Sequence, residues 1–79
     1  MPVTVTVRLN GPLAERLGAR HRVVLPDSAT VDDLVRTLLE QAGEALPRVA
    51  VSVGGRVVSG DTQLADNADV SVLVPYAGG

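Results

Sequence analysis

Several short segments of the chain alternate apolar and polar residues one for one, which is the side-chain period of a β-strand with one buried face. The clearest is residues 3–9, where Val and Leu occupy every odd position and Thr or Arg every even one. Similar runs bounded by Pro or Gly, and a Gly54-Gly55 hairpin signal, predict further strands. The predicted strands cover residues 3–9, 20–25, 49–53, 56–58 and 70–74.

One segment repeats its apolar residues at helical spacing instead. Thr30 with Asp33 three positions later resembles a capping box, and Asp32 and Asp33 lie where the helix dipole favours negative charge. Gly43 is placed for a left-handed C-cap. The predicted helix therefore begins after Thr30, ends before Gly43, and buries one apolar face: Val31, Leu34, Val35, Leu38 and Ala42.

The order of elements indicates an α+β fold. Residues 13–17 are predicted to form a single helical turn between the first two strands, which make a hairpin. The main helix then lies across one face of the sheet. We expect Leu64 to enter the core from a short turn, and residues 66–69 to form a tight turn before the last strand.

Composition narrows the class of protein. The 79 residues leave room for one domain, and its core must be aliphatic because 15 Val and 10 Leu stand beside no Phe and no Trp. The absence of Cys excludes a disulfide scaffold and a thiolate site. The net charge of −2 gives no electrostatic basis for binding nucleic acid or an anionic membrane. No apolar run suits a membrane helix and no signal peptide is visible, so we expect a cytoplasmic protein.

Few side chains offer catalytic chemistry. His21 is the only histidine, so a histidine metal site cannot form, and we interpret it as structural or exposed. Asp32 and Asp33 are explained by the helix start, and the Asp residues near the last strand by turns. Gly54-Gly55 lacks the strand-to-helix context of a phosphate loop. We therefore expect no metal, no bound cofactor and no catalytic residue of the chain's own.

The C-terminus is the remaining candidate. The sequence ends in Ala77-Gly78-Gly79, and two glycines without a Cβ allow the backbone beside the α-carboxylate to enter a narrow channel. The four residues after Pro75 can reach about 13–14 Å beyond the sheet. Pro75 stiffens the base of this arm. The division predicted is a folded domain over residues 1–75 and a functional tail over residues 76–79.

Together these features resemble the ubiquitin-like β-grasp sulfur carriers, the MoaD/ThiS-like family of the molybdopterin synthase small subunit and the thiamin-thiazole sulfur carrier. The resemblance rests on the N-terminal hairpin, the helix start at Thr30 and the ending Pro75-x-Ala77-Gly78-Gly79. It covers residues 3–79. It implies a mixed sheet of four to five strands packed on one main helix, with a flexible Gly-Gly tail.

The resemblance implies a carrier rather than an enzyme. An E1-like adenylating enzyme would use ATP and Mg²⁺ to convert the Gly79 carboxylate to an acyl-adenylate. A sulfurtransferase or sulfide would then supply sulfur to form a thiocarboxylate. That group would donate its sulfur to a downstream synthase of molybdopterin, thiazole, cysteine or a sulfur-containing natural product.

Partner contacts are expected at the last strand and the root of the tail. The outer sheet face is predicted to carry Arg8, Ala50, Ser52 and Leu73, and Tyr76 is the only aromatic residue in the chain. Aromatic residues favour interfaces. The residues predicted to contact the partner are Arg8, Leu73, Pro75 and Tyr76.

Two other interpretations remain open at this point: a ubiquitin-like modifier conjugated through Gly79, and a β-grasp binding module with incidental glycines. The sequence also departs from the molybdopterin synthase subunits, which usually carry Phe followed by two prolines before the tail. Here that stretch is Leu73-Val74-Pro75-Tyr76, and Asn67-Ala68-Asp69 stands in place of their Asp-Gly-Asp. Thiazole carriers usually lack the proline and are usually shorter.

Overall fold

A computed structural model describes residues 1–43 and 49–73. Within these two ranges, five strands and two helices follow one another in the predicted order. Their bounds are β1 Val3–Leu9, α1 Gly11–Leu17, β2 Arg20–Leu25, α2 Val31–Ala42, β3 Ala50–Val53, β4 Arg56–Val57 and β5 Asp69–Leu73. None of the helices in these two ranges has the length and apolar character needed to cross a bilayer.

The five strands form one mixed sheet in the order β2-β1-β5-β3-β4. β5 runs parallel to β1, with Val7 opposite Val70, while every other pairing is antiparallel. The last strand of the described residues therefore lies in the middle of the sheet. This arrangement, with α2 on one face, confirms the expected β-grasp fold.

The core lies between the inner sheet face and the helices. Because side chains alternate along a strand, β1 and β5 place only aliphatic residues on this face, and their central Val side chains are wholly inaccessible to solvent. No polar residue in the described part of the chain is buried. The largest fully buried side chains are Val5, Val7, Leu13, Leu34, Leu38, Val70 and Val72.

The ends of α2 follow the sequence prediction. The Asp33 N–H donates to Thr30 Oγ1 at 3.3 Å, and the Thr30 N–H donates to Asp33 Oδ2 at 2.9 Å, which completes the capping box. Gly43 takes a left-handed conformation (φ 68°, ψ 27°) at the C-cap. The prediction that Leu64 enters the core is also confirmed, since it is 5% exposed.

Some boundaries differ from the prediction. α1 begins at Gly11 rather than residue 13, because Pro12 is tolerated in a first turn, where its missing N–H is not needed. β4 ends at Val57, although the Val58 N–H still donates to the Val51 carbonyl at 3.1 Å. β5 begins at Asp69, and Val74, predicted as its inward-facing end, lies outside the described residues.

Candidate functional site

The predicted site residues divide into two groups. Arg8 and Leu73 belong to β1 and β5 and are described by the structure. The tail and its root, residues 75–79, lie outside the described residues. The geometry of the site is therefore that of the sheet from which the tail continues in the sequence.

The end of β5 is supported on both sides. Val72 lies opposite Leu9 of the parallel strand β1 and opposite Val51 of β3, so all three side chains are buried on the inner face. Leu73 is the next residue and points to the outer face, opposite Ala50, with 50% of its surface exposed. A strand held between two neighbours gives the following segment a fixed starting point.

Arg8 and Leu73 share the outer face, as predicted. Arg8 lies opposite Ser71, two positions before Leu73 on β5, which makes Arg8 and Leu73 diagonal neighbours about 7–8 Å apart at the backbone. The Arg8 guanidinium lies 3.6 Å from Asp69 Oδ2, and both side chains are more than half exposed. Such an exposed ion pair contributes little to stability. Contact of Arg8 and Leu73 with a partner stays a prediction.

The outer face has an apolar end and a basic end. Around β3, β4 and β5 it presents Leu73, Ala50 and Val57, with the half-buried hydroxyls of Ser52 and Ser71 between them. On β1 and β2 it presents Arg8, Arg20, Arg22 and Val24. We define the first set as the apolar patch and the second as the basic edge.

Val57 is a member of the apolar patch that the sequence analysis missed. It is 78% exposed and lies opposite Ser52. The signal was present, because a two-residue Gly54-Gly55 turn places residues 53 and 56 opposite each other and therefore Val57 opposite Ser52. The outward position of Val57 depends on the register between the two strands, which alternation within either strand alone does not reveal.

The other titratable candidates have structural roles. His21 Nε2 lies 3.0 Å from Gln41 Oε1, so the ring joins β2 to the end of α2. Hydrogen bonds from the backbone N–H and hydroxyl of Thr30, and more weakly the Arg36 charge, hold the pKa of Asp33 below its usual range. Asp66 Oδ1 accepts from the Thr4 N–H at 2.8 Å, which fastens the turn before β5 to β1. No cluster of metal-ligating side chains occurs among residues 1–43 and 49–73.

Comparisons with known proteins agree with this architecture. The model of the ThiS family matches residues 7–79. No curated protein sequence matches the chain significantly. Among solved structures, the chain is similar to a Pyrococcus furiosus protein assigned as molybdopterin converting factor subunit 1, with 27% identity and a TM-score of 0.80 over 92% of this chain and 98% of the other.

Two Haloferax volcanii proteins are also similar. The HVO 2177 protein shares 29% identity with a TM-score of 0.77, over 99% of this chain and 88% of its own. Small archaeal modifier protein 1 shares 21% identity with a TM-score of 0.77, over 92% of this chain and 98% of its own, which supports the fold alone. With the family model matched across nearly the whole sequence, the chain belongs to the ThiS family of ubiquitin-like β-grasp proteins, a fold that serves sulfur carriers and ubiquitin-like modifiers.

Proposed function

We propose that this protein is a sulfur carrier whose working group is the carboxyl group of Gly79. The observation that carries the proposal is the match to the ThiS family, which extends through Gly78 and Gly79 and leaves no part of the tail unmatched. The position of β5 supports it, because the strand that precedes the tail is held between β1 and β3.

The proposed activation has two steps. A carboxylate oxygen of Gly79 attacks the α-phosphorus of ATP, and pyrophosphate leaves, which gives an acyl-adenylate. Hydrosulfide then attacks the acyl carbon, AMP leaves, and loss of a proton gives the thiocarboxylate. The adenylating enzyme supplies the nucleotide site, the Mg²⁺ and the acid–base groups, while the carrier supplies only the carboxyl group.

The apolar patch is the proposed docking surface for the adenylating enzyme and for the sulfur-accepting synthase. Leu73 and Val57 are exposed aliphatic side chains on a rigid sheet, and burying them in a partner gains hydrophobic free energy without ordering a loop. Arg8 borders this patch and provides a charge that can fix orientation. In this proposal Pro75 and Tyr76 extend the contact along the root of the tail.

Intact-mass spectrometry tests the proposal. The protein is incubated with an E1-like adenylating enzyme from the same organism, ATP, Mg²⁺ and sulfide. We expect the mass gain that replaces one oxygen atom by sulfur, located at Gly79 by fragmentation. An extension of the chain beyond Gly79 that cannot be cleaved should abolish the gain. Full conversion of the extended protein would overturn the assignment of the reacting group.

A ubiquitin-like modifier is the second candidate function, and the ending Gly78-Gly79 on a ubiquitin-like fold is the observation that favours it, because conjugation would use the same C-terminal carboxyl group. Both functions use the same adenylation, so the first step does not separate them. Adducts of the carrier with other proteins in cells, joined through Gly79 to lysine side chains, would favour the modifier. A thiocarboxylate consumed by a biosynthetic synthase would favour the carrier.

A further inference from the structure

The edge strand β2 has free hydrogen-bonding groups as well as exposed side chains. The Leu9 N–H donates to the Ala19 carbonyl at 2.9 Å, and this bond fixes the phase of the β1–β2 ladder. In an antiparallel pair bonded and non-bonded positions alternate, so Val7–His21, Val5–Val23 and Val3–Leu25 are bonded pairs as well. The backbone N–H and C=O groups of residues 20, 22 and 24 therefore point away from β1, toward the outside of the sheet.

Within residues 1–43 and 49–73, no other strand covers this edge. β2 is the terminal strand of the sheet, and no backbone partner for residues 20, 22 or 24 on that side occurs among the described residues. Natural proteins usually protect such an edge, because a row of unsatisfied backbone groups is a template for another strand. Here the edge is six residues long and carries an exposed Val24, which is 67% accessible.

The exposed arginines of β1 and β2 include a like-charged pair that destabilises the pairing of these strands. Arg8 and Arg20 lie directly opposite each other, and like charges at such a position destabilise a strand pair. Arg8 has Asp69 as a partner, but within the described ranges no carboxylate lies within salt-bridge distance of Arg20 or Arg22. These positive charges are clustered at one edge, although the protein as a whole has a net charge of −2. An acidic partner would relieve the repulsion.

The inner side of the edge borders a groove of about 410 Å³ between the end of β2 and α2. Leu25, Pro26 and Ala29 form its apolar part. Its polar lining is Asp27, Ser28, Asp33, Arg36, Thr37 and Glu40. The carboxylates among these disfavour acidic side chains on this side of an added strand. A strand added to β2 would place every second side chain beside the basic edge, and among the others those next to Leu25 would face this groove. The groove has room for small aliphatic side chains.

We propose that β2 binds an extended segment of another protein in which acidic and small aliphatic residues alternate, as an added strand. The backbone groups at positions 20, 22 and 24 provide the hydrogen bonds, and Arg20 and Arg22 select the acidic side chains. A second copy of this chain is a poorer occupant, because an antiparallel β2–β2 pair centred on Arg22 would bring two Arg22 side chains together.

The proposal is independent of sulfur activation. β2 is separated from β5 by β1, and the apolar patch lies at the other end of the sheet. The same protein can therefore hold an added strand at β2 while its C-terminal side is engaged elsewhere. The occupied edge provides a way to attach the carrier to a larger assembly.

Binding of a short labelled peptide that alternates Glu and Val, with blocked termini, tests the proposal by fluorescence anisotropy and by amide hydrogen exchange. Binding should protect the N–H groups of residues 20, 22 and 24 from exchange, and a peptide with Lys in place of Glu should not bind. Protection confined to the apolar patch, or equal binding of the Lys peptide, would overturn the proposal. Self-association through β2 in the absence of peptide would contradict the choice of partner.

Two proline variants provide a matched control. Val24→Pro removes an N–H that faces away from β1, so the fold tolerates it while peptide affinity falls by roughly tenfold. Val57→Pro makes the same change on the opposite edge, since the Val58–Val51 bond places the Val57 N–H outward as well, and it should leave peptide affinity unchanged.

Arg22→Glu is the second test variant, and it leaves the backbone unaltered. It should weaken binding of the acidic peptide by about fivefold or more and reduce the loss of affinity that added salt causes, because one attractive charge is lost. Unchanged affinity in both Val24→Pro and Arg22→Glu, with the circular dichroism of the native fold, would disprove the edge as the binding site.

Discussion

The two faces of the sheet are built on one backbone and differ in almost every other respect. The inner face of β1 and β5 is aliphatic and closed, with Val5, Val7, Val70 and Val72 wholly inaccessible to solvent. The outer face exposes Leu73 and Val57 at one end and Arg side chains at the other. The side chains that stabilise the fold by burial therefore lie on the inner face, and the side chains of the outer face are available for contact with partners.

Removal of Gly79 should have the largest effect on function and almost none on the fold. Every buried hydrophobic residue in the described part of the chain lies between Val3 and Val72, so the truncated protein should keep its unfolding midpoint. Conversion by the adenylating enzyme should vanish because the reacting carboxyl group is displaced. Mass spectrometry and thermal unfolding measure the two properties, and a large loss of stability would show that the last residue is structural.

A pair of Leu→Ala substitutions compares the two faces directly. Leu34 on α2 is wholly buried, so Leu34→Ala should lower the free energy of unfolding by about 2–5 kcal/mol. Leu73→Ala makes the same change on the outer face, where the side chain is half exposed, and should lower that free energy by about 1 kcal/mol or less. Denaturant titration measures both.

The two variants should affect the reaction with the adenylating enzyme in the opposite order to their effects on stability. Leu73→Ala should raise the KM of the adenylating enzyme for the carrier, because the docking surface loses an apolar side chain. The fraction of Leu34→Ala that remains folded should react normally. If Leu73→Ala reacted like the unmodified protein, the apolar patch would not be the docking surface.

A smaller effect on the free energy of unfolding is expected at the N-terminus of α2, the helix that packs against the inner face of the sheet. Thr30→Ala removes the capping hydroxyl and should cost about 1 kcal/mol. Thr37→Ala is the control, since its hydroxyl donates only to the Asp33 carbonyl one turn earlier, within a helix already bonded there. Equal losses in the two variants, measured by denaturant titration, would argue against a special role of the cap.

The smallest effect concerns acid stability. The folded protein lowers the pKa of Asp33, so the carboxylate contributes stability that is complete above its ordinary pKa of about 4 and is lost as pH falls through the lower folded value. In Asp33→Asn, stability should therefore fall less steeply as the pH is lowered through this range. The other carboxylates should contribute as they do in the unmodified protein. Unfolding midpoints measured from neutral pH downward provide the comparison, and an unchanged slope would contradict it.

The sequence was sufficient to predict the features that depend on residues close together along the chain. Alternation placed β1 and its buried face, and Thr30, Asp33 and Gly43 marked both ends of α2, because caps and strand periods are local. Non-local pairing was less accessible. Periodicity does not reveal that β5 runs parallel to β1, and the mixed sheet was expected only from the family resemblance.

The features of the candidate site also divide into those that follow from local sequence and those that depend on long-range pairing. The outward direction of Arg8 and Leu73 followed from strand alternation, whereas the Arg8–Asp69 ion pair depends on the register between two distant strands. The start of α2 provides a second example. The N–H groups of Val31 and Asp32 donate to the carbonyls of Thr62 and Gly60 at 2.9 Å, and a loop so far along the sequence gives no local signal of this role.

The central position of β5 has a consequence for synthesis. A ribosome delivers β5 after every other described element, so a nascent chain that ends before Asp69 has its hairpin and main helix but lacks the strand that joins β1 to β3. Closure of the sheet must wait for this long-range pairing, which is slow compared with local hairpin formation. Unfinished chains therefore cannot present the proposed docking surface, and an enzyme that recognises the assembled sheet would act only on chains that extend through β5.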